Sequence, residues 1–187
     1  MMKKTALKLT VLLLVFVCSA TMRAQTNEPA KTEPAKTAAA VAAADFSLAI
    51  ENEDGRLTRL KLTDLGKLKR ITVKASDHGK ESTFEGVALV EVLKLAGIEL
   101  GESLRGKRLA TFLLVEAADN YQAVFALPEL EPLFTDRVIL LADRRDGQPL
   151  SEKEGVLRVV VPDEKKQGRW LRQVTNLKIL RAGANVK

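Results

Sequence analysis

From Phe46 onward, apolar and polar positions alternate or cluster in short runs, and each run ends at a turn signal. Phe46, Leu48 and Ile50 alternate with Ser47, Ala49 and Glu51, the period of a strand. Asp54-Gly55 supplies a turn, and Leu60 and Leu62 alternate with Arg59 and Lys61 on the return, so the segment reads as a hairpin. Thr63-Asp64-Leu65 begins a short helical step or turn. Arg70–Ala75, with β-branched Ile71, Thr72 and Val73, predicts a further strand. Ser76–Glu81 is polar, contains Gly79 and reads as a loop before Thr83–Val87. Leu89, Val92, Leu93 and Ala96 then form one apolar face at helical spacing, ended by Gly97.

The second half repeats the short-strand pattern. Ala110–Glu116 and Gln122–Leu127 predict strands on either side of Asp119-Asn120. Pro128–Leu133 reads as a short helix or turn, Val138–Ala142 as a buried apolar segment and Asp146-Gly147 as a turn. Leu157–Val161 is a buried strand ended by Pro162, and Trp170–Leu180 closes the domain. Many strands with few short helices, in no strict βαβ order, predict an α+β fold with a mixed sheet.

Upstream, the pattern is of another kind. Lys3, Lys4 and Lys8 precede and enter an apolar run, Leu9–Val17, followed by small residues at Ser19, Ala20 and Ala24. This is the layout of an export signal, residues 1–24, cleaved after Ala20 or Ala24; the alternative is an uncleaved anchor. The run is short of the roughly 20 residues a membrane span needs, so no transmembrane segment is expected after cleavage. Residues 25–44 carry EPAKT twice, then an alanine-rich run to Ala44, and read as a disordered spacer. The folded domain is expected over residues 45–182, with 183–187 as a tail.

Charge and cysteine content narrow the function. The chain is +6, with 30 Lys+Arg against 24 Asp+Glu. Lys3, Lys4, Lys8 and Arg23 fall in the signal, which has no acid, so the remainder carries 26 cations against 24 acids. That near balance, with aromatics at 4%, argues against nucleic acid as partner. The one cysteine, Cys18, lies in the signal. The mature chain therefore has no disulfide, thiolate metal site or cysteine nucleophile.

Four segments, in order, resemble the molybdopterin-binding domain of sulfite-oxidase-type oxidoreductases. They are FEGVALVEVLKLAG (Phe84–Gly97), EAADNYQAVFALPEL (Glu116–Leu130), VILLADRRDGQPLSEKEGVLRVVVP (Val138–Pro162) and KKQGRWLRQVTNLKIL (Lys165–Leu180). Asn120 stands where the family has glycine in a tight turn. The resemblance implies that fold. It places the family's active-site tyrosine on Tyr121, its arginine before the Val-rich strand on Arg158, and its phosphate-facing cations on Lys166 and Arg169, beside Trp170. The metal-ligating cysteine is expected in or near Lys74–Ser76, where none stands, although Asp77 and His78 are close by. Carboxylate and imidazole are poor substitutes for a soft thiolate. The Lys-Lys start also lacks the twin arginine that exported enzymes of this cofactor class use.

Each candidate has a plainer structural role beside the functional one. His78 is a ligand or proton donor, or else a polar turn residue before Gly79. Tyr121 binds an oxyanion, or else starts a strand. Arg158, Lys166, Arg169 and Arg172 converge on an anion, or else are solvated charges, and Trp170 reads as a core anchor. Asp143-Arg144-Arg145-Asp146 reads as a charged turn without chemistry.

The leading expectation is a periplasmic or secreted, non-catalytic or degenerate member of the fold. It would bind an anionic small molecule, a pterin-like ligand or a periplasmic protein partner in a vestigial cofactor cleft. No metal site is expected, and molybdopterin enters only through the resemblance. The alternatives are an active molybdopterin-dependent oxidoreductase with a non-cysteine metal environment, and a tethered structural or interaction module.

Overall fold

The computed structural model describes residues 45–183. The expected signal, the whole of the spacer and residues 184–187 lie outside them.

Among the described residues ten strands form two five-stranded sheets. The first has the order β2-β1-β10-β5-β6, built from β1 (Ser47–Glu51), β2 (Leu57–Lys61), β5 (Thr111–Ala117), β6 (Gln122–Ala126) and β10 (Val174–Arg181). All neighbours are antiparallel except β1 and β10, which run parallel with Ala49 opposite Asn176. The second sheet runs β3 (Arg70–Asp77), β4 (Lys80–Ala88), β7 (Leu140–Arg145), β8 (Gln148–Pro149), with β9 (Arg158–Val160) also paired to β7. Two short helices, α1 (Leu62–Leu65) and α2 (Leu89–Leu95), complete the α+β fold. Among the described residues no helix is long and apolar enough to cross a membrane.

One apolar cluster draws on both sheets: Leu48, Ile50, Leu113, Val115, Phe125, Leu177 and Ile179 from the first, and Phe84, Val87, Leu140, Leu141, Val159 and Val160 from the second. The helix α2 adds Leu89, Val92 and Leu93, the face read from their spacing. Strand β5 alternates buried Leu113 and Val115 with half-exposed Phe112 and Leu114. By contrast β1 buries Leu48, Ala49 and Ile50 in succession.

One expected loop is not a loop. Residues 76–81 continue β3 to Asp77 and start β4 at Lys80, with only His78-Gly79 between them. Both turn residues have positive φ, 50° and 82°, as a two-residue hairpin turn matching the strand twist requires. The segment is polar because Ser76, Lys80 and Glu81 are solvent-exposed, not because it leaves the sheet. Asn120 has φ 66°, the left-handed conformation its place in the family's glycine position requires.

Gly86 explains the FEGV step. A Cβ there would lie 2.1 Å from the Leu141 carbonyl oxygen and 2.6 Å from Ala142 Cα. Strands β4 and β7 meet at a register shift between Glu85 and Gly86, and only glycine permits that approach.

Candidate functional site

The β3–β4 hairpin, β7 and β9 together deliver charged side chains to one point under Phe84. Arg158, at the start of β9, is 1% exposed. Its Nη1 donates to Asp77 Oδ2 at 2.9 Å and to Glu154 Oε1 at 2.7 Å. Arg145, from the end of β7, donates through its own Nη1 to the same two oxygens at 3.1 and 3.2 Å. Two guanidinium nitrogens and two carboxylate oxygens thus close a ring of charge-assisted hydrogen bonds. Arg145 also reaches Ser82 Oγ through Nε and Nη2, at 3.1 and 2.8 Å. Both guanidinium carbons sit 5.3 Å from the Phe84 ring centroid, and that of Arg158 is 5.6 Å from Trp170.

Glu154 is held from behind. Its Oε2 accepts from the Ser151 hydroxyl at 2.7 Å and the Ser151 amide at 3.3 Å. Gly155, which follows, has φ 78°, and a Cβ on it would come within 2.7 Å of Gln173 Cα. The Gly-x-x-Arg step therefore lets the turn pack tightly enough to aim Glu154 at Arg158. Burial works to raise the Asp77 and Glu154 pKa values, and hydrogen bonds and charge outweigh it. For Asp77 the opposing groups are Arg158, Arg145 and His78; for Glu154 they are Ser151 and Arg158. Both carboxyls are held below their ordinary range. Within this cluster two buried atoms have no hydrogen-bond partner among the described residues: Asp77 Oδ1 and Arg158 Nε.

Arg169 sits in a second network. It donates to Glu164 through Nε (2.8 Å) and Nη2, and to Glu129 through Nη1 (3.0 Å) and Nη2 (3.4 Å). Arg137 joins Glu129 to Asp163 at 2.9 and 2.7 Å. Arg169 Nη1 also donates to the Val124 carbonyl at 3.0 Å, and Glu129 accepts the Ala126 amide at 2.8 Å. The pair therefore satisfies outward-facing backbone groups on the edge strand β6, and Arg169 lies 4.5 Å from the Phe125 ring centroid. Burial works to lower the Arg169 pKa, and the two glutamates outweigh it and raise it.

The remaining candidates fall around these networks. Tyr121 is 52% exposed and donates its hydroxyl to the Gly168 carbonyl at 2.7 Å. Lys166 is exposed and makes no ion pair among the described residues, as is Arg172. Gln167 donates to the Ser76 carbonyl at 2.8 Å, tying this segment to the end of β3. His78 is exposed at the hairpin tip, its Nε2 3.7 Å from Asp77 Oδ1. Trp170 is buried, donates to the Val161 carbonyl at 3.0 Å and meets Phe84 edge-on at 6.0 Å.

The cations expected to converge on one anion are thus distributed: Arg158 and Arg169 belong to separate carboxylate sets, and Lys166 and Arg172 face solvent. Sequence reasoning missed Glu154, Ser82 and Glu129, and it read Arg145 as part of a charged turn. Strand parity carried the missing signal for Arg145: Arg144 faces outward beside Glu85, so its neighbour faces in.

The family described as oxidoreductase molybdopterin binding domain matches residues 34–184. The chain belongs to this family. Among solved structures, the sulfane dehydrogenase SoxCD from Paracoccus pantotrophus is similar with a TM-score of 0.57 at 20% identity. The match covers 74% of this chain and 39% of that one, so the chain spans well under half the length of that relative. Comparison with curated proteins gives no match. The sulfite-oxidase-type molybdopterin-binding fold expected from the four segments is the fold observed.

The family implies a molybdopterin-bound metal, and the residues present do not fit it. At Lys74–Ser76 the inward-facing side chain is Ala75, which has no donor atom, while Lys74 and Ser76 are exposed. Asp77, the next inward residue, is a hard ligand already shared by two arginines. Among the described residues no three His, Cys, Asp or Glu side chains cluster to hold a metal ion. On the phosphate side, Glu129 and Glu164 neutralise Arg169.

Proposed function

We propose that this chain is an exported member of the family that performs no molybdenum chemistry and acts as a binding module for a periplasmic or secreted protein. The observation that carries the reading is the internal neutralisation of both arginines the family would direct at its ligand. Arg158 faces Asp77 and Glu154, and Arg169 faces Glu129 and Glu164. A cleft whose cations already hold carboxylates has little left for an anionic pterin, which favours a protein partner over a small anion. Export is supported by the basic-then-apolar start of the chain and its small residues at Ala20 and Ala24.

The test is a cofactor assay on protein exported by a host that makes molybdopterin. Molybdenum and tungsten are measured by mass spectrometry, and oxidised pterin by fluorescence, on one sample. The expected result is neither at stoichiometric level. One metal and one pterin per chain overturns the proposal. It would select a second reading, an active oxidoreductase with a non-cysteine metal environment, for which the one favouring observation is the partnerless oxygen Asp77 Oδ1.

A further inference from the structure

Two guanidinium groups held over one aromatic ring repel each other unless an anion lies between them. Here Arg145 and Arg158 come from the paired strands β7 and β9 and share Phe84 as a floor. Their Nη1 atoms point at the same two oxygens, Asp77 Oδ2 and Glu154 Oε1. Small oxyanions present the same acceptor geometry to paired guanidiniums. The two carboxylates differ in how they are anchored. Asp77 is the last residue of an eight-residue strand paired along its whole length. Glu154 sits on a turn between β8 and β9 and is held through Ser151. The side chain of Arg145 is 23% exposed, which opens the cluster to solvent, whereas that of Arg158 is 2% exposed and its Nε has no partner.

We infer that Asp77 and Glu154 are built-in ligands of a two-arginine oxyanion site, and that Glu154 is the residue closing it to free anions. This rests on the reading that the cluster replaces a cofactor site. It adds that the replacement is competitive: remove Glu154 and the arginines take a small carboxylate or phosphate-class anion in its place.

The experiment is chemical rescue of the exported full chain, with formate as probe and chloride at equal ionic strength as control. Glu154→Ala lowers the thermal midpoint by on the order of 10 °C, since it strips a buried charge from its partners. Formate restores several of those degrees, the gain rising with the logarithm of its concentration, as binding to the folded state alone requires. Wild type does not respond beyond chloride, and Glu154→Leu, which fills the space, is not rescued. No formate response in Glu154→Ala overturns the inference, and so does an equal response in wild type.

Should Glu154→Ala not fold, Ser151→Ala decides. It loosens Glu154 without removing it and is expected to show a weak formate response; none overturns the inference. These readouts need no cofactor, so they fail independently of the metal and pterin assay.

Discussion

Arg158→Met tests whether the ionic cluster holds the second sheet to the core. Methionine replaces much of the buried stem, so the cavity is small and the loss is chiefly electrostatic. It removes hydrogen bonds of 2.9 and 2.7 Å to two buried carboxylates, together with the contacts to Phe84 and Trp170. Stripping one partner from a buried pair costs about 3–5 kcal/mol. Arg145 still reaches both oxygens, which places the expected loss near 3 kcal/mol, a large part of a typical domain's 5–15 kcal/mol. The assay is urea unfolding at neutral pH followed by fluorescence of Trp170, the only tryptophan, which sits beside the mutated side chain. Adding Glu154→Gln to Arg158→Met should cost less than the sum of the two single losses, because the orphaned charge goes with it. A loss below about 1 kcal/mol, or strict additivity, refutes the view that the cluster acts as a unit.

Gly86→Ala drives a methyl group into the Leu141 carbonyl and should cost more than about 4 kcal/mol, read as lost soluble yield or lost cooperative melting; wild-type melting contradicts it. Asp77 and Glu154 have native pKa values below those of the unfolded chain. Their stabilisation is therefore fully present above the ordinary carboxyl range near pH 4 and is lost as pH falls through the depressed native values. The urea midpoint should drop below about pH 4, and Asp77→Asn with Glu154→Gln should flatten that drop. Trp170→Phe leaves the Val161 carbonyl without its donor and a gap beside Phe84, an expected loss of about 2 kcal/mol by urea titration.

Much of the fold was legible because its signals are local. The alternation around Leu48 and Ile50, the Asp54-Gly55 turn and the face of α2 each depend on a few neighbouring residues. The 76–81 hairpin escaped because both its arms carry polar side chains to solvent, and His78-Gly79 is a less familiar turn pair than Asn-Gly. The candidate site was half legible. Resemblance pointed to Arg158, Arg169 and Trp170, yet nothing in one-dimensional spacing shows which carboxylate meets which arginine. Asp77 and Arg158 are 81 residues apart, and Glu129 and Arg169 are 40 apart. The acids that decide whether an arginine is free come from distant strands, and only tertiary structure brings them in.

The parallel pairing of β1 with β10 sets the order in which the first sheet can form. Ala49 and Asn176 lie 127 positions apart, and β10 separates the β1–β2 hairpin from the β5–β6 hairpin. Until residues 174–181 arrive, the first sheet exists only as two unconnected hairpins, neither stable alone. Closing so long a loop makes folding slow and all-or-none. Strand β10 is thus the clasp of the first sheet: its two hairpins join only when residues 174–181 arrive between them.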